Sequence, residues 1–561
     1  MPLVPFRTKL AKPEPSWQLC LMGIIGGTLA SLCIILFRFS VESLQLLYLE
    51  NIDDYTTLSE FYRFITPVVA VLFILGLAWI SKFKYTRMGI PFVIHRLKAN
   101  YGYIPFKNTL TQFFGGIFAL AGGFSVGREG PAVHIGAASS SFLGSKLALP
   151  HNSIRTLCAC GVAAGISASF NTPLAAVIFV MEVILREYRL HIFIPVILAS
   201  IIGSMMTHAF FGPYHEFEFF AYIVIDFWHY PLLILFGIFL GFLAKAFNSS
   251  LIATLKFSLK YHMAKRLVLA ALIMGFIGLL VPQSMGASLS AIGSMLEHNN
   301  HLLLILAILA AKFIATIAVL GLGVPGGIIG PTLAIGAIAG ALMAFFVNIL
   351  YPEVSFAGDY ALMGMAGMLA ATLNAPLAAL LTVIELSNQL QLALPAMVVI
   401  TSAYLTSSQF LKNRSIFLQQ LEFQQLPYQA SPVESVLQKH GVLSQMDRNF
   451  KVLNTADHNQ IKWLLAGQNS SEQLIIKPKS NESTFKLVQI DMNIHPLDGE
   501  DQAIKSTIMP AIDSQATLSE AYFALYKQRE GAVYIYHRSK DNIIGVLAFE
   551  KIRKILTLGN T

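Results

Sequence analysis

"GGFSVGREGPAVHIGA", residues 122–137, holds Arg128 and Glu129 as the only charges of a long apolar stretch, set between glycines just ahead of Pro131. A glycine run followed by proline reads as a helix that stops and restarts, because proline suits the first helical turn, where its missing N–H has no partner to lose. A second run, "GGIIGPTLAIGA" at 326–337, repeats the pattern, with Gly130 matching Gly330 at an offset of 200. A separate block recurs as well: "FNTPLAAVIFVME" (170–182) matches "LNAPLAALLTVIE" (373–385) at an offset of 203, pairing Asn171 with Asn374, Pro173 with Pro376 and Glu182 with Glu385. Two blocks in the same order at nearly the same spacing predict two related halves, with a site between them where helices break.

Composition sets the class. Of 561 residues 55% are hydrophobic and 12% charged, with a mean hydropathy of +0.62; a soluble domain cannot hide that much apolar surface, so the chain is an integral membrane protein. Spanning-length apolar segments recur from Trp17 to Leu411, and the chain after Phe417 turns polar. Arg7, Lys9 and Lys12 precede the first apolar segment, which continues without a cleavage site and so reads as a retained helix. The next loop is acidic (Glu42, Glu50, Asp53, Asp54, Glu60) and the one after it basic (Lys82, Lys84, Arg87), which assigns the N-terminus to the cytosol. The net charge of +8 comes from residues scattered at segment ends, where the same rule explains them without a nucleic-acid partner. Cys20, Cys33, Cys158 and Cys160 all lie in apolar segments and read as small buried hydrophobes, with no metal-ligand set among them.

Three broken-helix signatures, "MGIP" (88–91), "GREGP" (127–131) and "VPGGIIGP" (324–331), each restart an apolar stretch. Irregular backbone at membrane depth is tolerated where it is buried in protein or lines a cavity. Helix N-termini there expose N–H donors and a partial positive charge, so three of them converging would bind an anion. No lysine is needed, which suits an ion that must also leave.

These linked motifs, with the repeated N-x-P-L-A blocks and the polar tail, resemble the CLC family of voltage-gated chloride channels and chloride/proton antiporters. The resemblance implies an all-α polytopic membrane domain, an inverted repeat of tilted and broken helices, followed by an α/β cytosolic CBS pair. The domains expected are residues 1–16 as a cytosolic segment, 17–430 as the membrane domain with halves meeting near 210–230, and 431–561 as the CBS pair. It also implies a homodimer in a plasma or bacterial inner membrane, with both termini cytosolic and one chloride pathway per subunit. Glu129 falls on the family's gating glutamate. Met88, Gly89, Ile90, Arg128, Gly130, Gly327, Ile328, Ile329 and Phe417 fall around its anion site, with the backbone N–H groups of Ile328 and Ile329 on the central ion.

Departures from the family pattern shape the expectation. Met88 stands where a serine hydroxyl coordinates the anion, and a thioether is a poor donor; Phe417 keeps a ring and lacks a tyrosine's hydroxyl. Val183 replaces the glutamate that takes protons from the cytosol. These changes lean the reading toward channel-like or weakly proton-coupled chloride transport, with coupled chloride/proton antiport as the alternative and a fluoride-selective transporter, suggested by Met88, as a minority one. Glu182 and Glu385 read as structural, each meeting polar or basic groups at a helix end, and His134 as packed.

A solute transporter of another inverted-repeat fold would need further acids at the helix breaks. An enzyme would need a catalytic cluster in the soluble part. The sequence offers neither. In the tail, residues 516–556 show helix, strand, turn, strand and helix in order, as in a CBS motif, and 449–480 resemble a weaker first copy. Ala548 and Lys551 stand where nucleotide-binding CBS motifs carry Thr and Asp, so no nucleotide or other cofactor is expected; chloride and protons are the ligands.

Overall fold

The computed structural model describes residues 4–83, 88–212, 217, 227–287, 302–350, 356–429, 431–453, 473–477, 485–490 and 504–558. Most of the junction expected near 210–230, and most of the weaker tail copy, lie outside them. Among the described residues nine helices are long and apolar enough to cross a membrane, so the chain is a multi-pass membrane protein.

The helices are α1 (Val4–Leu10), α2 (Trp17–Gln45), α3 (Glu60–Ser81), α4 (Gly89–Ala99), α5 (Phe106–Ala121), α6 (Glu129–Lys146), α7 (His151–Phe170), α8 (Pro173–Phe179, continued by a π-turn Val180–Leu185), α9 (Leu190–Phe211), α10 (Tyr230–Ser258) and α11 (Met263–Leu280). There follow α12 (Leu302–Leu322), α13 (Ile329–Leu350), α14 (Ala357–Leu373), α15 (Pro376–Ser387), α16 (Ala393–Tyr404), α17 (Ile416–Phe423), and in the tail α18 (Pro432–Leu437), α19 (Leu518–Leu525) and α20 (Phe549–Leu558). Between its ends a helix pairs its backbone groups internally, as lipid requires.

The repeat is structural. Asn171 and Asn374 end α7 and α14 with the same left-handed backbone, φ 56° in each, a conformation asparagine tolerates, and a proline opens the next helix in both halves. Both α7 and α14 are buried along their length, and each meets its predecessor through glycines. A Cβ on Gly136 of α6 would overlap the Gly161 carbonyl of α7, and one on Gly336 of α13 would overlap the Gly364 carbonyl of α14. This is the small-residue packing that lets membrane helices approach backbone to backbone.

The halves face one another about a pseudo-two-fold axis. Gly127 and Gly327, repeat mates, form an antiparallel bridge, with N–H to O distances of 2.8 and 2.7 Å. The repeat mates α8 and α15 lie antiparallel, because the carboxylate near the end of each caps the start of the other (Leu377 N and Ala378 N on Glu182; Leu174 N and Ala175 N on Glu385). Equivalent helices running in opposite senses make an inverted repeat.

Two compact units share the chain, Cys20–Leu143 with Arg155–Tyr428, and Met1–Leu19 with Gly144–Ile154 and Gln429–Thr561. Within the second, Gly441 N donates to Ala11 O at 2.9 Å, His151 N to Gln515 O at 2.8 Å, and Ser153 Oγ to Leu10 O at 2.7 Å. Its strands are β1 (Phe450–Leu453), β2 (Gln473–Ile476), β3 (Phe485–Ile490), β4 (Ile504–Met509), β5 (Ala511–Asp513), β6 (Ala532–His537) and β7 (Ser539–Ala548). They form a four-stranded sheet β1-β2-β3-β4 and a three-stranded sheet β5-β6-β7. In the latter β5 and β6 are parallel, bridged by α19, and β6 turns into antiparallel β7 at Arg538, φ 65°. The order expected over 516–556 is the order found, within an α/β unit.

Candidate functional site

Glu129 opens α6, and its carboxylate, in a residue only 4% exposed, is wedged between the glycine loops of the two halves. A Cβ added at Gly127 would overlap its Oε2; one at Gly327 would lie 2.7 Å from Oε2, and one at Gly330 2.9 Å from Oε1. Only glycine leaves room for this side chain at three positions drawn from both loops. Oε2 has no hydrogen-bond partner among the described residues. A buried anionic oxygen held against two helix N-termini without a fixed partner is easily exchanged for another anion.

Beside it lies a cavity of about 410 Å³, lined by Met88, Gly89, Ile90, Gly130, Gly327, Ile328 and Phe417 among others. These residues lie at or just before the starts of α4, α6, α13 and α17, so a fourth helix start joins the three that the glycine–proline signatures predict. At α4 the N-cap Met88 makes no side-chain cap bond, and Gly89 takes φ 68°, a left-handed value that favours glycine. Among the described residues no N-cap side chain takes up the N–H groups of the first turn of α4.

Two residues sit differently from the sequence expectation. Ile329 opens α13 and is buried, but it does not line the cavity; Ile328 does. Arg128 holds its guanidinium 4.7 Å from the centre of the Phe170 ring, a cation–π contact, and is not among the residues lining the cavity. His134 is wholly buried and stacks on Phe92, ring centres 5.7 Å apart. Val183 is buried in the π-turn that extends α8.

Three features escaped sequence reasoning. Gln112 of α5 and Arg266 of α11 line the cavity, each belonging to no motif. Glu187, four residues after Val183, joins Lys98 (3.1 Å), Arg155 (3.7 Å) and Arg189 (2.7 Å). Burial would raise its carboxyl, but Arg155, Lys98 and Arg189 together hold it below the usual carboxylate range, so it stays ionised at neutral pH. The run "LREYRL" (185–190) shows its charge and not its partners, two of which lie far off in the chain.

An inverted repeat whose broken helices aim their N-termini at one carboxylate and one cavity defines an anion-handling membrane protein. A family model described as voltage gated chloride channel matches residues 68–408. The chain belongs to this CLC family, whose members transport chloride across membranes and are not enzymes. The H(+)/Cl(−) exchange transporter ClcA of Salmonella paratyphi B (strain ATCC BAA-1250 / SPB7) is 28% identical over 431 residues, covering 73% of this chain and 89% of the relative. Among solved structures, a slow cyanobacterial Cl−/H+ antiporter matches with TM-score 0.65 and 20% identity over 72% of this chain and 97% of its own. A eukaryotic CLC transporter matches with TM-score 0.63 and 18% identity, over 95% and 97%.

Proposed function

We propose that the chain is a chloride/proton antiporter in which Glu129 is both anion gate and proton acceptor. The observation that carries it is the wedge of the Glu129 carboxylate between the glycine loops of the two halves, with Oε2 partnerless. As an anion the side chain occupies the junction that chloride must pass. Chloride displaces it; the displaced carboxylate takes up a proton, loses its charge and no longer competes for the helix N-termini.

The channel-like lean drawn from Val183 has no support in the comparisons: the relative is named an exchanger and one fold neighbour an antiporter. Val183 removes one titratable group, and Glu129 alone is enough for a proton to travel with each movement of the gate. Chloride is the ion named for the relative and for the family model, and Met88 and Phe417 put apolar surface at the helix starts, which suits a large, weakly hydrated anion better than a small, tightly hydrated one.

A second copy of the chain fits the exposed caps between α8 and α15. Leu174 and Leu377, whose N–H groups meet the Glu385 and Glu182 carboxylates, lie at an exposed face, and a carboxylate left toward lipid is costly. We assign the tail as a CBS pair without bound nucleotide; Lys551 is taken up by Asp447, Nζ to Oδ1 2.8 Å.

The test is the purified chain in liposomes under a chloride gradient. Proton uptake against its own gradient supports antiport. Rapid chloride flux without proton movement sinks it, and fluoride flux exceeding chloride flux reassigns the substrate.

A further inference from the structure

The turn between α10 and α11 and the helix ends on either side of it carry Lys256, Lys260, His262 and Lys265, all exposed, and Arg266, which is 6% exposed. This basic cluster places the turn on the cytosolic side. Arg266 differs from its neighbours because its side chain turns inward and lines the cavity.

Its position costs free energy. Arg266 lies in the opening turns of α11, where the helix end is already partly positive and a second positive charge is unfavourable. Its buried Nε has no hydrogen-bond partner among the described residues. Gln112 lines the same cavity and is 1% exposed, and both its Nε2 and its Oε1 are likewise without partners among the described residues. Buried polar groups in folded proteins are nearly always paired. A cationic side chain without a carboxylate partner among the described residues, on one cavity with an amide whose polar atoms are also unpaired, gives that wall two groups able to donate to an anion.

We propose that Arg266 and Gln112 form an anion-holding site in the cavity wall that receives a chloride-sized monovalent anion from the cytosol and passes it to the helix N-termini. The proposal rests on the reading of this cavity as the anion pathway. It assigns to a guanidinium and an amide the side-chain recognition that Met88 and Phe417 cannot give. Chloride then meets a full charge at the cytosolic side of the cavity and only backbone amides deeper in, a gradient that attracts the ion without trapping it.

Two measurements test it. In crystals of the full chain grown with bromide, the anomalous map should show an ion beside the Arg266 guanidinium and Gln112 Nε2. In planar bilayers, Arg266→Met should raise the half-saturating chloride on the cytosolic face about tenfold, the loss expected for a hydrogen bond from a charged donor, while the value on the opposite face stays put; Arg266→Lys should fall in between. Bromide absent from that place, or Arg266→Met with the concentration dependence of the original chain, overturns the proposal. If Arg266→Met does not fold, the bromide map and the lysine variant decide it. Absence of chloride flux in the unaltered chain would instead sink the pathway reading itself.

Discussion

Glu182 and Glu385 cap each other's helices. Glu182 Oε2 accepts from Ala378 N at 2.7 Å and Oε1 from Leu377 N at 3.3 Å, while Glu385 accepts from Leu174 N at 2.9 Å and Ala175 N at 2.8 Å. A carboxylate at a helix N-terminus satisfies orphan donors and meets the positive end of the dipole. The exchange is reciprocal, so the two residues are one structural device made twice.

Glu182→Ala and Glu385→Ala should therefore destabilise by similar amounts, about 1–2 kcal/mol each, as for a lost helix cap. Thermal unfolding in detergent would show two comparable drops in Tm, with the proton-to-chloride ratio in liposomes unchanged. A stable Glu182→Ala chain that moved chloride and no protons would place Glu182 on the proton route.

Met88→Ser should strengthen chloride binding. The change restores a hydroxyl at the N-cap of α4, where the methionine side chain makes no cap bond and lines the cavity. Calorimetric titration should give a Kd several-fold lower, and unchanged affinity would mean that the anion rests away from α4.

Gly127→Ala should expel the gate. The new Cβ overlaps Glu129 Oε2, so the carboxylate leaves the junction while the loop keeps its bridge to Gly327. Chloride flux at neutral pH should rise toward that of a chain without the gate and lose most of its pH dependence. Flux and pH dependence like those of the unaltered chain would show that the carboxylate does not rest between the loops.

Acid should loosen the unit that holds the tail. Burial would raise the Glu520 carboxyl, but hydrogen bonding and the charge of His151 (3.2 Å), with the Thr517 capping box, hold it below its ordinary value. A depressed carboxyl contributes stability above its unfolded pKa, about 4.3, and loses it as pH falls through the lower folded value. Unfolding of the full chain followed by tail fluorescence should weaken below about pH 4 through this group, and Glu520→Gln should flatten that part of the profile. An identical acid profile in the variant would remove Glu520 as its cause.

Much of the membrane fold was legible because the repeat is written twice. The offsets of 200 and 203 already pair Gly127 with Gly327 and Glu182 with Glu385, and glycine–proline runs mark where helices restart. Glu182 and Glu385 meet polar groups at helix ends as expected, yet those partners, backbone amides of the opposite half some two hundred residues away, follow only from the folded arrangement. Gln112, Arg266 and Glu187 were illegible for the same reason. Their meaning comes from a cavity and a charge cluster assembled from distant segments, and nothing local distinguishes Arg266 from the exposed basic residues around it. Phe417 was placed by resemblance, while the start of α17 as a fourth helix N-terminus on the cavity became visible only in three dimensions.

The central claim is that the Glu129 carboxylate couples chloride to protons. It is tested most directly by measuring chloride and proton fluxes together in liposomes for the original chain and for Glu129→Gln, whose neutral amide stands in for the protonated gate. The account predicts uphill proton movement in the original chain, and in the variant continued chloride flux with proton movement abolished and pH dependence lost. A variant that still drives protons uphill at the original ratio would contradict it.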